Sequence, residues 1–519
     1  MAVKQKVVKL SSCFVDGVIA TYSDIEISLS PGIPTFDIIG LCDSSIRESR
    51  GRITSAVRSL GHLMPKGHIT VNISPAYMHK SGSGFDLPIA LGILMLAGII
   101  DYDSSRTVYA QGELSLNGDV KGTPGSILKL MEAVKHSNDI VLIPREEMTA
   151  AGCSRIACMC VDSLRDASLI LEEDSYKAEV HELNPDGYQF RRERHQKSLG
   201  YLKGQPKAET AITIACAGMH SLLMLGSPGC GKSFAAEIIA RLMPCADEYE
   251  ISQYLALQEV ADISAGYGLY SGRPFRRISS NCTSSQLTGK PGSYIPGELA
   301  LANNGVLFAD EICEFSPKII DELKGPLEEH VVRMNKDGKV ITVPASFLFV
   351  ATGNPCRCGM YYEGAGKCKC TPAMRKNYLK KLSGSFLDRI DLFTEMRSVG
   401  QQDLKEMTDG YIEDDYSEIC SEDKIRIAWA MQRERYGWRP GEPKMFNGTC
   451  ENISGECFDY DSTVSGFASE AAKRAGLSGR GFAKLMRVAR TIADMEGSVK
   501  MNVDHVKRAL MFKVKEDVI

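Results

Sequence analysis

The sequence predicts an α/β protein in which a mostly parallel sheet, covered by helices, carries a phosphate-binding loop, with an α+β domain before it and a helical domain after it. Three observations predict this. Apolar strand-like runs alternate with helical segments over residues 209–395; a glycine-rich loop sits between one such strand and one such helix; and long amphipathic runs with few strand signals follow from residue 396. At 519 residues the chain is too long for one compact core, and at about 150 residues per domain it holds three to four domains. Hydrophobic residues make up 44% and charged residues 24%, which excludes disordered, collagen-like and coiled-coil classes.

Residues 1–171 read as the α+β domain. Short β-branched runs, HITVNIS at 68–74 and DIVLIP at 139–144, alternate with helical patterns such as 126–135. The longest apolar stretch, Leu87 to Ile100, contains Pro88, Gly92 and Gly98 and is shorter than the roughly 20 residues of a membrane span. It reads as a buried helix. Residues 172–208 turn polar and charged, with a turn at Asn184-Pro185-Asp186-Gly187, and read as a linker. Residues 209–395 form the core and 396–519 the helical domain. The opening residues carry lysines but no apolar h-region and no small-residue cleavage pattern, so the expected compartment is the cytoplasm, away from the membrane.

Lysine and arginine number 61 against 65 Asp and Glu, a net charge of −4, so no overall positive field draws in nucleic acid. Any such contact must come from local loops. Seventeen cysteines is a high and odd count; in a reducing compartment most act as small buried hydrophobes, and spacing carries more information than number.

The sharpest motif is Gly226-Ser227-Pro228-Gly229-Cys230-Gly231-Lys232-Ser233, preceded by the apolar run Leu222 to Leu225 and followed by the helix-like FAAEIIARL. Glycines let consecutive backbone N–H groups turn toward phosphate oxygens, and the helix N-terminus adds positive potential. Lys232 then reaches the β/γ-phosphates and Ser233 ligates Mg²⁺, so the expected ligand is ATP with Mg²⁺. Downstream, GVLFAD runs as an apolar strand into Asp310 and Glu311. An ATPase needs one acid to hold Mg²⁺ and another to polarise the attacking water, and the two fit those roles in that order. Standing alone, they would equally read as solvated acids at a strand end. A third strand ends at Thr352-Gly353-Asn354-Pro355, placing the Asn354 amide to orient water beside the γ-phosphate, although Asn-Pro is also a common turn.

Cys356-x-Cys358 and Cys368-x-Cys370 are two close pairs joined by the glycine-rich GMYYEGAGK. Four thiolates suit tetrahedral Zn²⁺, with free or merely buried thiols as the alternative.

The stretch PGELALANNGVLFADEICEFSPKIIDELKGPLEEHVV, with FVATGNPCRCG after it, resembles the magnesium-chelatase-like AAA+ ATPases, in particular the bacterial ComM/YifB family. FDIIGLCDSSIRESRGRITSAVRSLG and TVNISPAYMHKSGSGFDLPIALGIL resemble that family's Lon-protease-like domain, and LSGRGFAKLMRVARTIADMEG resembles its lid. The resemblance implies an AAA+ core over 209–395, a helical C-terminal lid over 396–519, a Lon-like domain over 1–171 and a homohexameric ring with ATP between subunits. SFLDRIDL matches the arginine-finger segment, implying that Arg389 acts on a neighbour's ATP; an Arg389 paired with Asp388 or Asp391 is the plainer reading. Arg480 in LSGRGF stands where the lid carries its second sensor, implying contact with the γ-phosphate in cis, and Gly204-Gln205 resembles the segment that contacts the base. The family's cysteines after NPC support a zinc knuckle here.

The Lon-like domain departs from an active protease. Lys129 falls near the catalytic lysine, but Gly84 stands where the serine nucleophile would be and Ser83 is one residue out of register, so peptidase activity is not expected.

The work implied is translocation on single-stranded or branched DNA, of the branch-migration or helicase type. Arg333-Met-Asn-Lys336-Asp-Gly-Lys339 puts an Asp-Gly turn between strand-like runs, a hairpin signal with basic flanks, where related helicases carry a DNA-contacting hairpin. A second basic segment, 273–295, holds Arg273, Arg276, Arg277 and Lys290 among Gly, Ser and Thr. Both also read as solvated basic surface. Two rivals remain: a chelatase motor subunit, disfavoured by the Lon-like domain, and a protein-remodelling or regulatory ATPase whose N-terminal domain binds a protein partner.

Overall fold

The computed structural model describes residues 6–40, 43–75, 80, 82–103, 105–172, 177–181, 205–261, 269–270, 273–336, 338–364, 366–398 and 421–513. The chain divides into two compact units, one of Met1–Gln189 with Ile251–Ala265 and Pro291–Pro296, the other of Phe190–Glu250, Gly266–Lys290 and Gly297–Ile519.

The first unit is built on an eight-stranded mixed sheet. Its spatial order is Glu179–Val180, Ala157–Val161, Ile140–Pro144, Val108–Ala110, Lys6–Asp16, Ile19–Ser30, His68–Ile73 and Thr35–Ile39. HITVNI alternates half-buried and buried positions along His68–Ile73, the period of a strand with one face on a core. The apolar stretch noted above forms the helix Asp86–Leu96, and every residue of it is buried. With no polar face, such a helix is stable only inside a core. It packs so close to the sheet that a Cβ on Gly92 would stand 2.1 Å from Ile27 Cδ1.

The second unit carries a six-stranded sheet in the order Leu269–Tyr270, Arg273–Ile278, Val306–Ala309, Leu348–Gly353, Leu222–Gly226 and Leu392–Met396. All neighbours are parallel except the first pair. Leu222–Gly226 and Leu348–Gly353 are buried throughout, as parallel strands covered on both faces must be. Because the strands run in one direction, their C-terminal ends converge on one edge, and that edge receives the functional loops.

The C-terminal segments form the helices Ser421–Tyr436, Ser462–Arg474, Gly479–Met495 and Val503–Leu510. Ser421–Tyr436 and Gly479–Met495 pack against the helix Pro206–Gly218, and the other two pack on Gly479–Met495. Trp429 Nε1 donates to the Cys216 carbonyl at 3.0 Å and Gln432 Nε2 to that of Ala217 at 2.8 Å. One apolar cluster runs from Ile212 and Leu222 through Trp429 and Ile492 to Phe512, so sheet and C-terminal helices share a core. At its centre the fully buried Asp494 accepts from Arg490, Arg435 and Asn447. Among the described residues no helix is long and apolar enough to cross a membrane.

Candidate functional site

At the C-terminal edge of the second unit's sheet, strand Leu222–Gly226 turns into the phosphate loop and the helix Lys232–Leu242. Gly229 and Gly231 have φ of 77° and 90°, which only glycine adopts without strain, and nothing lies within 4 Å of where their Cβ atoms would be. Gly226 is there for space: a Cβ would meet Cys230 Sγ and the Met396 carbonyl, each at 2.7 Å. Lys232 Nζ donates to the carbonyls of Gly226 and Ser227, both at 2.8 Å, and to Asn354 Oδ1 at 3.3 Å. Burial lowers its pKa.

Strands Val306–Ala309 and Leu348–Gly353 deliver Asp310, Glu311 and Asn354 to the same edge. Asp310 accepts from Thr352 Oγ1 at 2.7 Å and is also paired with Arg277. Glu311 is exposed at φ 57°, an uncommon conformation for a non-glycine residue, and its N–H reaches Thr352 Oγ1 at 3.3 Å. Thr352 thus organises both acids, a role the sequence reading did not assign to it. The residues fit a magnesium–nucleotide ligand: open glycine N–H groups, a lysine at the loop, Ser233 exposed at the helix start, and a carboxylate whose present cation is the 58%-exposed Arg277.

Gln205, 7% exposed, spends its side-chain amide on the backbone of Arg397, just beyond strand Leu392–Met396, so what it offers a nucleotide is position rather than a free amide. Gly204 lies outside the described residues.

The cysteine loop packs directly on the phosphate loop. The Sγ separations are 3.4 Å for Cys356–Cys358, 3.7 Å for Cys356–Cys368 and 3.6 Å for Cys358–Cys368, and Cys370 completes the cluster. A tetrahedron with zinc–sulfur bonds of about 2.3 Å has edges of about 3.8 Å, so the four thiols fit Zn²⁺. The Met360 N–H holds the Cys358 thiol down to about 6, while burial pushes Cys356 up to about 12. Gly359, at φ 76°, touches the phosphate loop: a Cβ there would stand 2.5 Å from Pro228 Cδ. Glu363 is held down to about 2 by the Ser227 hydroxyl and by the hydroxyl and N–H of Ser398. Its hydrogen bonds tie the cysteine loop to Ser398, just beyond strand Leu392–Met396, a contact that sequence reading missed.

Arg389 and Arg480 sit at the other end of the sheet. Ser221 and Asp391, which precede parallel strands, exchange hydrogen bonds there, and Ser221 Oγ donates to the Arg389 carbonyl at 2.8 Å. Arg389 pairs with Glu328 at 2.5 Å and donates to the Lys324 carbonyl at 2.9 Å, so neither Asp388 nor Asp391 is its partner. Arg480 pairs with the same Glu328 at 2.7 Å and is 58% exposed. Lys484 and Arg487 line the same cavity, and burial lowers Lys484 to about 8. A five-residue strand at about 3.3 Å per residue, about 16 Å in all, separates this cavity from the phosphate loop. Arg480 thus stands with Glu328 at the edge away from the loop, not beside Lys232 as the cis reading expects. Glu328, which gathers both arginines, lies in the quoted stretch PLEEHVV, but its charge alone names no partner.

The hairpin expected around residue 338 forms from Val331–Lys336 and Lys339–Pro344, with Lys336 opposite Lys339 and Gly338 at φ 76°. Arg333 is exposed and pairs with Glu329 at 2.9 Å. Asp337 and the side chains of Lys336 and Lys339 lie outside the described residues. The second basic segment is a correction. Arg273 is 2% exposed and pairs with Glu250, Arg276 pairs with Glu298, and Arg277 pairs with Asp310, so these charges serve internal carboxylates. Of the four, Lys290 and the paired Arg277 are exposed.

In the first unit, a Cβ on Gly84 would stand 3.4 Å from Lys129 Nζ. Lys129 is buried, donates to Thr123 Oγ1 at 2.6 Å, and has its pKa lowered by burial. Ser83 is paired with Glu113 instead.

A family model described as magnesium chelatase, subunit ChlI, matches residues 198–404. Models for subunit ChlI of Mg-chelatase and for its C-terminal part match residues 25–147 and 418–513. The chain is 31% identical over 497 residues to the competence protein ComM of Haemophilus influenzae, covering 96% of this chain and 95% of that one. It is 30% identical over 505 residues to the uncharacterized protein YifB of Escherichia coli, with 96% and 95% covered. The magnesium-chelatase 38 kDa subunit of Rhodobacter capsulatus is 24% identical over 332 residues, 60% of this chain and 85% of that one. With a phosphate loop, two acids and an asparagine gathered on one edge of a mostly parallel sheet, and with similarity along nearly the whole length, the chain belongs to the ComM/YifB family of magnesium-chelatase-like AAA+ ATPases.

Proposed function

We propose that the protein is a ring motor that hydrolyses ATP at sites shared between neighbouring copies and works on single-stranded or branched DNA. The observation that carries the shared site is the opposed placement of its parts. Lys232, Asp310, Glu311 and Asn354 stand at one edge of the sheet and Arg389 and Arg480 at the other, so a head-to-tail neighbour brings both arginines to the phosphate that its partner binds.

In this reading Lys232 moves from its loop carbonyls to the β/γ-phosphates, and Ser233 and Asp310 hold Mg²⁺, which neutralises phosphate charge when bound. Glu311 takes the proton of the attacking water while Asn354 orients it. Arg389 and Arg480 leave Glu328 to meet the charge that grows on the γ-phosphate. Gly204 and Gln205 set the base end. Cys356, Cys358, Cys368 and Cys370 hold a structural Zn²⁺ that stiffens the loop behind Pro228. The domain reading is a Lon-like unit without peptidase activity over 1–171, its sheet extended by the edge strand Glu179–Val180, a linker over 172–208 that ends in the helix Pro206–Gly218, the AAA+ core over 209–395 and the lid over 396–519, in a cytoplasmic homohexamer.

DNA as substrate rests on the hairpin carrying Arg333, Lys336 and Lys339, with Lys290 beside it in role, and on a relative named as a competence protein. The internal pairing of Arg273, Arg276 and Arg277 reduces the free basic surface and is the observation that favours the alternative, a protein-remodelling ATPase with a protein partner.

The test has two parts. Lys232→Ala and Arg389→Ala are each expected to abolish steady-state ATPase, and mixing them should restore about a quarter of wild-type turnover, because random head-to-tail pairing joins one intact loop to one intact arginine. A mixture that stays inactive rejects the shared site. Single-stranded or four-way-junction DNA should stimulate the wild type, and Lys336→Ala with Lys339→Ala should lose that stimulation. Turnover indifferent to DNA moves the substrate to protein.

A further inference from the structure

We propose that Cys158, Cys160 and His181 form a second metal site, in the first unit, that takes a zinc-class divalent cation and clips the edge of the eight-stranded sheet. The Sγ atoms of the two cysteines and a ring nitrogen of the histidine all lie within 4.8 Å of one another, with Cys160 Sγ 3.6 Å from His181 Nε2. Residues two apart on a strand project from the same face. The strand Ala157–Val161 therefore presents Cys158 and Cys160 together, and its parallel pairing with Ile140–Pro144, which sets Ile143 opposite Cys160, fixes their spacing.

His181 comes from the end of the edge strand Glu179–Val180, held to its neighbour, among the described residues, by the pairs Glu179–Cys158 and Val180–Ala157. Two paired residues make a weak strand. A metal bonded to Cys158 and Cys160 on one strand and His181 beyond the other supplies what this short ladder lacks.

The donor chemistry suits zinc. Two thiolates and a neutral imidazole balance a divalent charge, so the fully buried Cys158 can ionise without leaving net charge in the sheet. Cys160 and His181 are half-buried, leaving the fourth position of a tetrahedron to water. Arg145 is engaged by Asp162 at 2.9 Å and does not compete for the site. A merely hydrophobic role accounts for Cys158 but not for a thiol and an imidazole converging on it.

The test uses full-length protein, reduced, loaded with Zn²⁺ and desalted before elemental analysis. Cys356→Ser with Cys358→Ser removes the other cysteine cluster, so the two sites are read separately. In that background one equivalent of zinc should remain, and adding Cys160→Ser with His181→Ala should remove it. Zinc absent from the background variant, or unchanged by the added substitutions, overturns the proposal. Should the combined variant fail to fold, Co²⁺ titration of the background variant decides: a thiolate-to-cobalt absorption saturating at one equivalent supports the site, and its absence overturns it. Hydrogen exchange at the Glu179 and Val180 amides should slow at least tenfold with Zn²⁺; unchanged exchange overturns the clip.

Discussion

Glu311 is held at φ 57° with its carboxylate exposed beside Asp310, a conformation that costs roughly 1–3 kcal/mol at a non-glycine residue and persists where the surroundings over-determine it. Thr352 is that surrounding, accepting from Glu311 N–H while donating to Asp310. Glu311→Gln keeps the size and the backbone but removes the proposed proton acceptor. The expected outcome is a turnover number lower by about 10²- to 10⁴-fold with ATP binding retained, measured by steady-state ATPase beside nucleotide-binding titration. Gly226→Ala tests space rather than chemistry: its Cβ cannot fit 2.7 Å from both Cys230 Sγ and the Met396 carbonyl, so nucleotide affinity itself should fall.

At the scale of elements, the cysteine loop and the phosphate loop are one construction, joined where Gly359 meets Pro228. Chelation of the proposed zinc, or Cys356→Ser, is expected to lower ATPase while leaving most helical circular dichroism intact; unchanged turnover after verified zinc removal would separate the two loops. The C-terminal helices depend on a buried charge cluster. Asp494→Asn leaves Arg435 and Arg490 underpaired in the core, a change that typically costs about 3–5 kcal/mol, read as a lowered urea midpoint.

Lys484 gives the same element a pH signature. Burial lowers its pKa to about 8 from the ordinary 10.5, so between those values the unfolded chain binds more protons than the native one and stability rises with pH. Below about 8 both states are protonated and the penalty is fully present. Lys484→Met removes the buried cation, so its stability advantage over the wild type, measured by urea titration, should shrink as pH rises from 8 toward 10.5.

At the scale of the molecule, legibility followed locality. The phosphate loop could be read from eight consecutive residues because its function is a backbone path, and the buried helix Asp86–Leu96 because an all-apolar run has nowhere else to go. Asp310, Glu311 and Asn354 were legible because strand ends in a parallel sheet share an edge. The arginines were not. Arg273, Arg276 and Arg277 read as a basic surface until the fold showed Glu250, Glu298 and Asp310 beside them, and Arg480 read as a partner of its own phosphate loop until the fold placed it a strand length away with Glu328.

The sequence by itself determined the chemistry at the loop, the order of the segments and the family, since each rests on short-range patterns of residue type and spacing. Only the tertiary structure decided which charges are spent internally, which end of the sheet each arginine occupies, and that Cys158, Cys160 and His181 meet. Those are contacts between residues far apart in sequence. Their pairing energy depends on distance and burial, which residue type does not encode.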